Sequence, residues 1–119
     1  PSPRLLKSMP QLTLNLPQGS LSFSYTESAA LALKEEIQEL MNSLKANAAV
    51  GGKPMPKAAM EYRYTGDVFL EVFCNPNIYP SPFAAKVLLT LRDEKIRLTT
   101  EAELTRLIED LEQFLEQNT

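Results

Sequence analysis

KVLLTLRDEKIRL, residues 86 to 98, is the stretch on which the fold turns. Read as a hairpin with Asp93 and Glu94 at the turn, it sets Leu89 opposite Leu98 and Leu91 opposite Ile96. That alternation is the mark of a strand pair with one buried face. On the other face Arg92 then lies opposite Lys95, with Lys86 and Arg97 on the same side. Like charges opposed across a strand pair cost stability. Either this face meets phosphates that supply the counter-charge, or the long side chains splay into water beside Asp93, Glu94 and Glu101 and discourage edge pairing.

Downstream of the hairpin, TEAE at residues 100 to 103 has the form of a capping box, in which Thr100 caps a helix and Glu103 reaches back. Leu104, Leu107, Ile108, Leu111, Phe114 and Leu115 then recur at helical spacing as a buried stripe, with Glu109, Asp110 and Glu112 on a solvated face. Upstream, MEYRYTGDVFLEVFC reads as two strands around a Gly66 and Asp67 turn. In that register Tyr62, Tyr64, Phe69 and Phe73 share one face, and Val68, Leu70, Val72 and Cys74 the other. The three prolines of NPNIYPSP, residues 75 to 82, prevent a central strand there.

The opening of the chain repeats the theme. QLTLNLPQGSLSFSY predicts a hairpin with Leu12, Leu14, Leu16, Leu21, Phe23 and Tyr25 on one face. From about Thr26 the period becomes helical, with Leu33, Ile37, Leu40, Met41 and Leu44 on a stripe. NAAVGGKPMPKA then breaks the pattern as a loop. Sliding the chain by roughly 75 residues lays the first hairpin and helix on the last, Leu14 on Leu89 and Leu33 on Leu107, a spacing that a pseudo-repeat or mere shared periodicity produces. The expected fold is therefore α+β: a curved antiparallel sheet in the order ββα-ββββα with two amphipathic helices on one face. Residues 1–10 form a tail and 11–119 one domain, made of a ββα unit (11–46), a loop (47–58) and a ββββα unit (59–119).

Composition narrows the function. A chain of 119 residues with net charge −3 and 44% hydrophobic residues is suited to one real core. Its bulk charge does not attract nucleic acid, so a polyanion site must be a local patch. One cysteine, Cys74, allows no internal disulfide, and the lack of histidine removes the commonest general base and the usual zinc spacings. No cofactor, metal or catalytic group is expected, and no apolar run approaches a membrane span. The expected setting is cytoplasmic, or an organelle interior if a targeting segment precedes Pro1.

The second half of the chain resembles the positive cofactor four and Whirly class of single-stranded-DNA-binding transcription regulators. The resemblance is carried by the ββββα order and by Phe83, the run Lys86-Val87-Leu88-Leu89, Leu91-Arg92, a turn, Ile96 and Leu98, then a helix. It implies that Phe83, Lys86 and Arg92 lie in a nucleic-acid-binding region, and that the chain forms a homodimer through sheet or helix edges. Ala84 stands where that class carries a second lysine, and tryptophan is absent.

The candidate site is thus Phe83, Lys86, Arg92, Lys95 and Arg97, with Tyr62 and Tyr64 as stacking platforms for the bases of single-stranded DNA or RNA. Core packing is the commoner fate of such aromatics, and the face that meets the helices decides between the two. The alternative partner is a larger protein complex that takes Tyr62, Tyr64 and the proline-rich segment at an interface. VGGKP, residues 50 to 54, lacks the Walker spacing, since Asn47 and Pro54 stand where glycine and Ser or Thr belong; Lys53 and Lys57 supply only mobile charge. Asp67 with Glu71 is the one acidic pair near the aromatic strands, and both fit ordinary turn and strand roles.

Overall fold

The computed structural model describes residues 10–50 and 55–118. Leu12 faces Phe23 and Leu14 faces Leu21 where β1 (Gln11–Leu16) pairs antiparallel with β2 (Gly19–Ser24), so the six apolar residues share a face as their alternation requires. Pro10 is already fixed: its carbonyl accepts the Tyr25 N–H at 3.0 Å, while residues 1–9 of the expected tail, like Lys53, lie outside the described residues. Thr26 caps the next element, its Oγ1 accepting the Ala29 N–H at 3.1 Å. That helix, α1 (Glu27–Val50), runs past residue 46, where a loop was expected. Ala46, Ala48 and Ala49 favour the extra turn. Asn47 anchors it, donating from Nδ2 to the Pro76 carbonyl at 3.5 Å and to Asn77 Oδ1 at 3.4 Å.

The remaining strands form a four-stranded meander, β3 (Met60–Thr65), β4 (Phe69–Cys74), β5 (Lys86–Arg92) and β6 (Arg97–Glu103), followed by α2 (Leu104–Gln117). The fold is α+β in the order ββαββββα, with the strands divided between a two-stranded and a four-stranded antiparallel sheet and no closed barrel. Two short 3₁₀ turns, Pro76–Ile78 and Pro82–Ala84, occupy the proline-rich connection between β4 and β5. Both helices pack on the sheet face that carries Tyr62, Leu70, Val72, Val87 and Leu89, and one core draws on both halves of the chain, from Leu12 and Leu33 to Leu107 and Phe114.

The expected capping box at the start of α2 is replaced by strand. Thr100 pairs with Leu89 in β6, and the helix begins at Leu104 without a side-chain cap. The Leu104 N–H donates instead to the Ala85 carbonyl at 3.1 Å, a tertiary bond that does the work of a cap. The strand register also differs from the proposed slide of 75 residues, since Leu14 pairs with Leu21 whereas Leu89 pairs with Thr100.

Asp110, expected on a solvated helix face, is buried in α2 and latches the first hairpin to it. Its carboxylate accepts the Asn15 backbone N–H at 2.7 Å and Asn15 Nδ2 at 2.9 Å, with Arg106 Nε at 3.4 Å. Asp110→Ala strands a half-buried N–H on β1. Charge-assisted bonds of this kind contribute about 2 kcal/mol, and urea unfolding of the variant is expected to show a loss of that size.

Candidate binding face

The turn between β3 and β4 decides which aromatic residues reach solvent. Thr65 pairs with Phe69, so the turn holds three residues, Gly66 to Val68, and is closed by a Gly66 N–H to Val68 carbonyl bond of 3.0 Å. A two-residue turn had been expected. The extra residue slips the register by one and exchanges the faces of one strand relative to the other. Tyr62 and Tyr64 therefore lie on the inner face, opposite Val72 and Leu70, while Phe69 and Phe73 lie on the outer one.

Neither tyrosine is a stacking platform. Tyr62 is 7% exposed, its hydroxyl 2.7 Å from that of Tyr25 and 3.2 Å from the Ala29 carbonyl it donates to. Tyr64 is half-buried, its ring edge-on to Tyr25 at 4.9 Å between centroids. Burial pushes the Tyr25 hydroxyl well above the ordinary phenol range, with the Tyr62 bond acting in the same direction. Tyr62 is raised by burial as well. The pair is a buried polar contact inside the core.

The basic residues keep their expected face with a different register. Arg92 pairs with Arg97, not Lys95, because the turn between β5 and β6 holds four residues instead of two. Asp93 shapes that turn, its Oδ1 accepting the N–H groups of Lys95 at 2.8 Å and Ile96 at 2.9 Å. Those two bonds hold its carboxyl below the usual aspartate range. Lengthening by two residues preserves parity, so Lys86, Arg92 and Arg97 share the outer face and Lys95 projects from the turn. Among the described residues none of these four cations forms an ion pair. Arg92 instead covers the Phe69 ring, its guanidinium carbon 4.3 Å from the centroid. Phe83, at 86% exposed, stands in the turn just before β5.

Acids balance the cations on this face. Strand alternation places Arg63, Lys86, Arg92 and Arg97 outward together with Glu61, Glu71, Glu101 and Glu103. Lys86 faces Glu103 across the strands, and Arg63 Nε donates to Glu71 Oε2 at 2.8 Å. Glu71 is thus committed to a cross-strand ion pair, and the Asp67 and Glu71 pairing has no further partner among the described residues. At the middle of the face Phe73 and Leu88 sit opposite each other, 39% and 43% exposed. Leu88 was missed as a site residue. Its signal was present in Val87-Leu88-Leu89, where an apolar residue occupies the outward position of an otherwise alternating strand.

Cys74 closes β4 on the inner face, where burial pushes its thiol up to about 11. The thiolate is the reactive form, so folding protects it. A thiol reagent at pH 8 is expected to leave Cys74 unmodified in the native protein and to titrate one thiol in urea. The associated linkage destabilises the fold as the pH rises from 9.0 towards about 11, because the unfolded thiol loses its proton first.

Among the described residues no group of three or more metal-ligating side chains converges, and no helix is long and apolar enough to cross a membrane. No family model matches the chain, nor does any curated protein or solved structure.

Proposed function

We propose that this chain is a non-enzymatic binding module that docks a protein partner on the outer face of its four-stranded sheet. The observation that carries the reading is the Phe73 and Leu88 pair, open to water at the centre of a face whose four acids offset its four cations. An apolar centre inside a mixed-charge rim is the anatomy of a protein interface. A polyanion site instead collects one sign of charge. The alternating charges around the rim set orientation and exclude wrong partners more than they add affinity.

A second reading, single-stranded DNA or RNA, is favoured by one feature at the turn end of the same face. There Arg92 lies over the Phe69 ring beside Arg97 and Lys95, with no acid bound to these cations among the described residues. A nucleobase and a phosphate would meet a ring and a cation in that order.

The two readings separate in one experiment. Tagged protein is used to capture partners from an extract of its source cells, and in parallel is titrated against a labelled single-stranded oligonucleotide at several salt concentrations. A protein captured reproducibly, with no oligonucleotide binding at low salt, is the expected result. Oligonucleotide binding that falls steeply with salt and disappears in Arg92→Glu with Lys95→Glu supports the second reading and overturns the first.

A further inference from the structure

We infer that β6 is a self-pairing edge through which two copies of this chain join antiparallel about Thr100. On one side β6 pairs with β5, and on the other it has no strand partner among the described residues. That free side opens on a cleft of about 590 Å³, walled by the tip of the β1–β2 hairpin and by Leu98, Thr100 and Glu101. Exposed edges of this kind take up another strand unless something blocks them.

The sequence of β6, RLTTEAE, says which strand fits. Placed antiparallel to itself with Thr100 on the two-fold axis, Arg97 faces Glu103 of the second copy, Leu98 faces Ala102 and Thr99 faces Glu101. Every paired position keeps its side of the sheet, because odd residues meet odd and even meet even. All seven residues are used, and each contact off the axis is made twice, as a closed two-fold interface demands. Leu98, left open on the inner side, gains an apolar neighbour.

The pairing also settles the unfavourable contact inside the chain. Arg97 lies opposite Arg92 with no ion-pair partner among the described residues. A second β6 would bring a carboxylate to its other side and order the outer row as Arg92, Arg97, then Glu103 and Lys86 of the second copy. Opposite charges in directly facing positions stabilise strand pairs. At the other outer strand, β3, the one cation, Arg63, is already ion-paired with Glu71 inside the chain. This inference stands apart from the identity of whatever binds the outer face.

Sedimentation over a range of protein concentrations tests it, with circular dichroism confirming that each variant is folded. The native chain is expected to dimerise reversibly. Arg97→Glu should weaken the dimer about tenfold or more by turning two attractive pairs into repulsive ones, and adding Glu103→Arg should restore it to within about threefold. Register is read by oxidation: Thr100→Cys sits on the axis, within the Cα spacing a disulfide accepts, and should cross-link two chains, whereas Thr99→Cys faces Glu101 and should not. A monomer at every concentration overturns the inference, whether or not the edge takes a strand from another protein. So does a dimer indifferent to Arg97→Glu, or one that cross-links equally through Thr99→Cys.

Discussion

Tyr25→Ala is expected to lower the unfolding free energy by about 3 to 5 kcal/mol, the range for emptying a large aromatic site in a core. Tyr25 is fully buried where β2 hands over to α1, and its ring touches Phe23, Tyr64 and Phe114 with centroid distances of 5.7, 4.9 and 5.8 Å. Those neighbours come from the first hairpin, the four-stranded sheet and α2, so one cavity loosens three layers. Since domains of this size are stable by only about 5 to 15 kcal/mol, the variant should lie near the edge of folding. Tyr25→Phe is the control: it keeps the ring and deletes the hydroxyl, while Tyr62 retains the Ala29 carbonyl at 3.2 Å. A cost of about 1 kcal/mol is expected there. Urea midpoints of the two variants check both values.

Phe73→Thr combined with Leu88→Thr is expected to abolish capture of the protein partner while leaving the unfolding midpoint nearly unchanged. Threonine suits a strand and adds no charge beside Glu61 and Glu101, which face these positions. Buried apolar anchors at the centre of an interface each contribute about 2 kcal/mol or more, so losing both should weaken binding about a thousandfold. Surface positions of this kind usually shift stability by less than about 0.5 kcal/mol. Phe83→Glu supplies a comparison outside the central pair. Its side chain projects from the Pro82–Ala84 turn, and its loss should reduce capture far less.

Much of this architecture is legible in the sequence. The β1–β2 hairpin was legible because Leu12, Leu14, Leu21 and Phe23 alternate cleanly, and placing its turn at Gln18 and Gly19 instead of the observed Pro17 and Gln18 shifts the pairing by two residues, which preserves the faces. The outward set of Lys86, Arg92 and Arg97 survived for the same reason, although Arg92 proved to face Arg97. At β3 and β4 the error was a single residue, and it moved Tyr62 and Tyr64 from the proposed site into the core. Local sequence could not settle that turn, since Gly66 and Asp67 suit a two-residue hairpin as well as the three-residue one observed.

Two other features depend on partners far along the chain. Thr100 satisfies both a helix-cap pattern and the β-branched preference of a strand, and pairing with Leu89 decided for the strand. Asp110 looks like any acid on an amphipathic helix, because the Asn15 that buries it lies 95 residues away. The centre of the candidate face was hidden by the same logic. Phe73 and Leu88 become neighbours only when β4 and β5 pair across the proline-rich connection.

Hydroxyl-radical footprinting of the chain with and without its captured partner tests the central claim most directly, because it reads side-chain exposure residue by residue. Docking on the outer sheet face predicts that oxidation of Phe73 and Leu88 is suppressed in the complex, with Phe69 following, while Ile37 and Met41 between the helices are unchanged. Unaltered oxidation of Phe73 and Leu88 alongside protection of the helix surface, or of Ile78 and Phe83 alone, would contradict it.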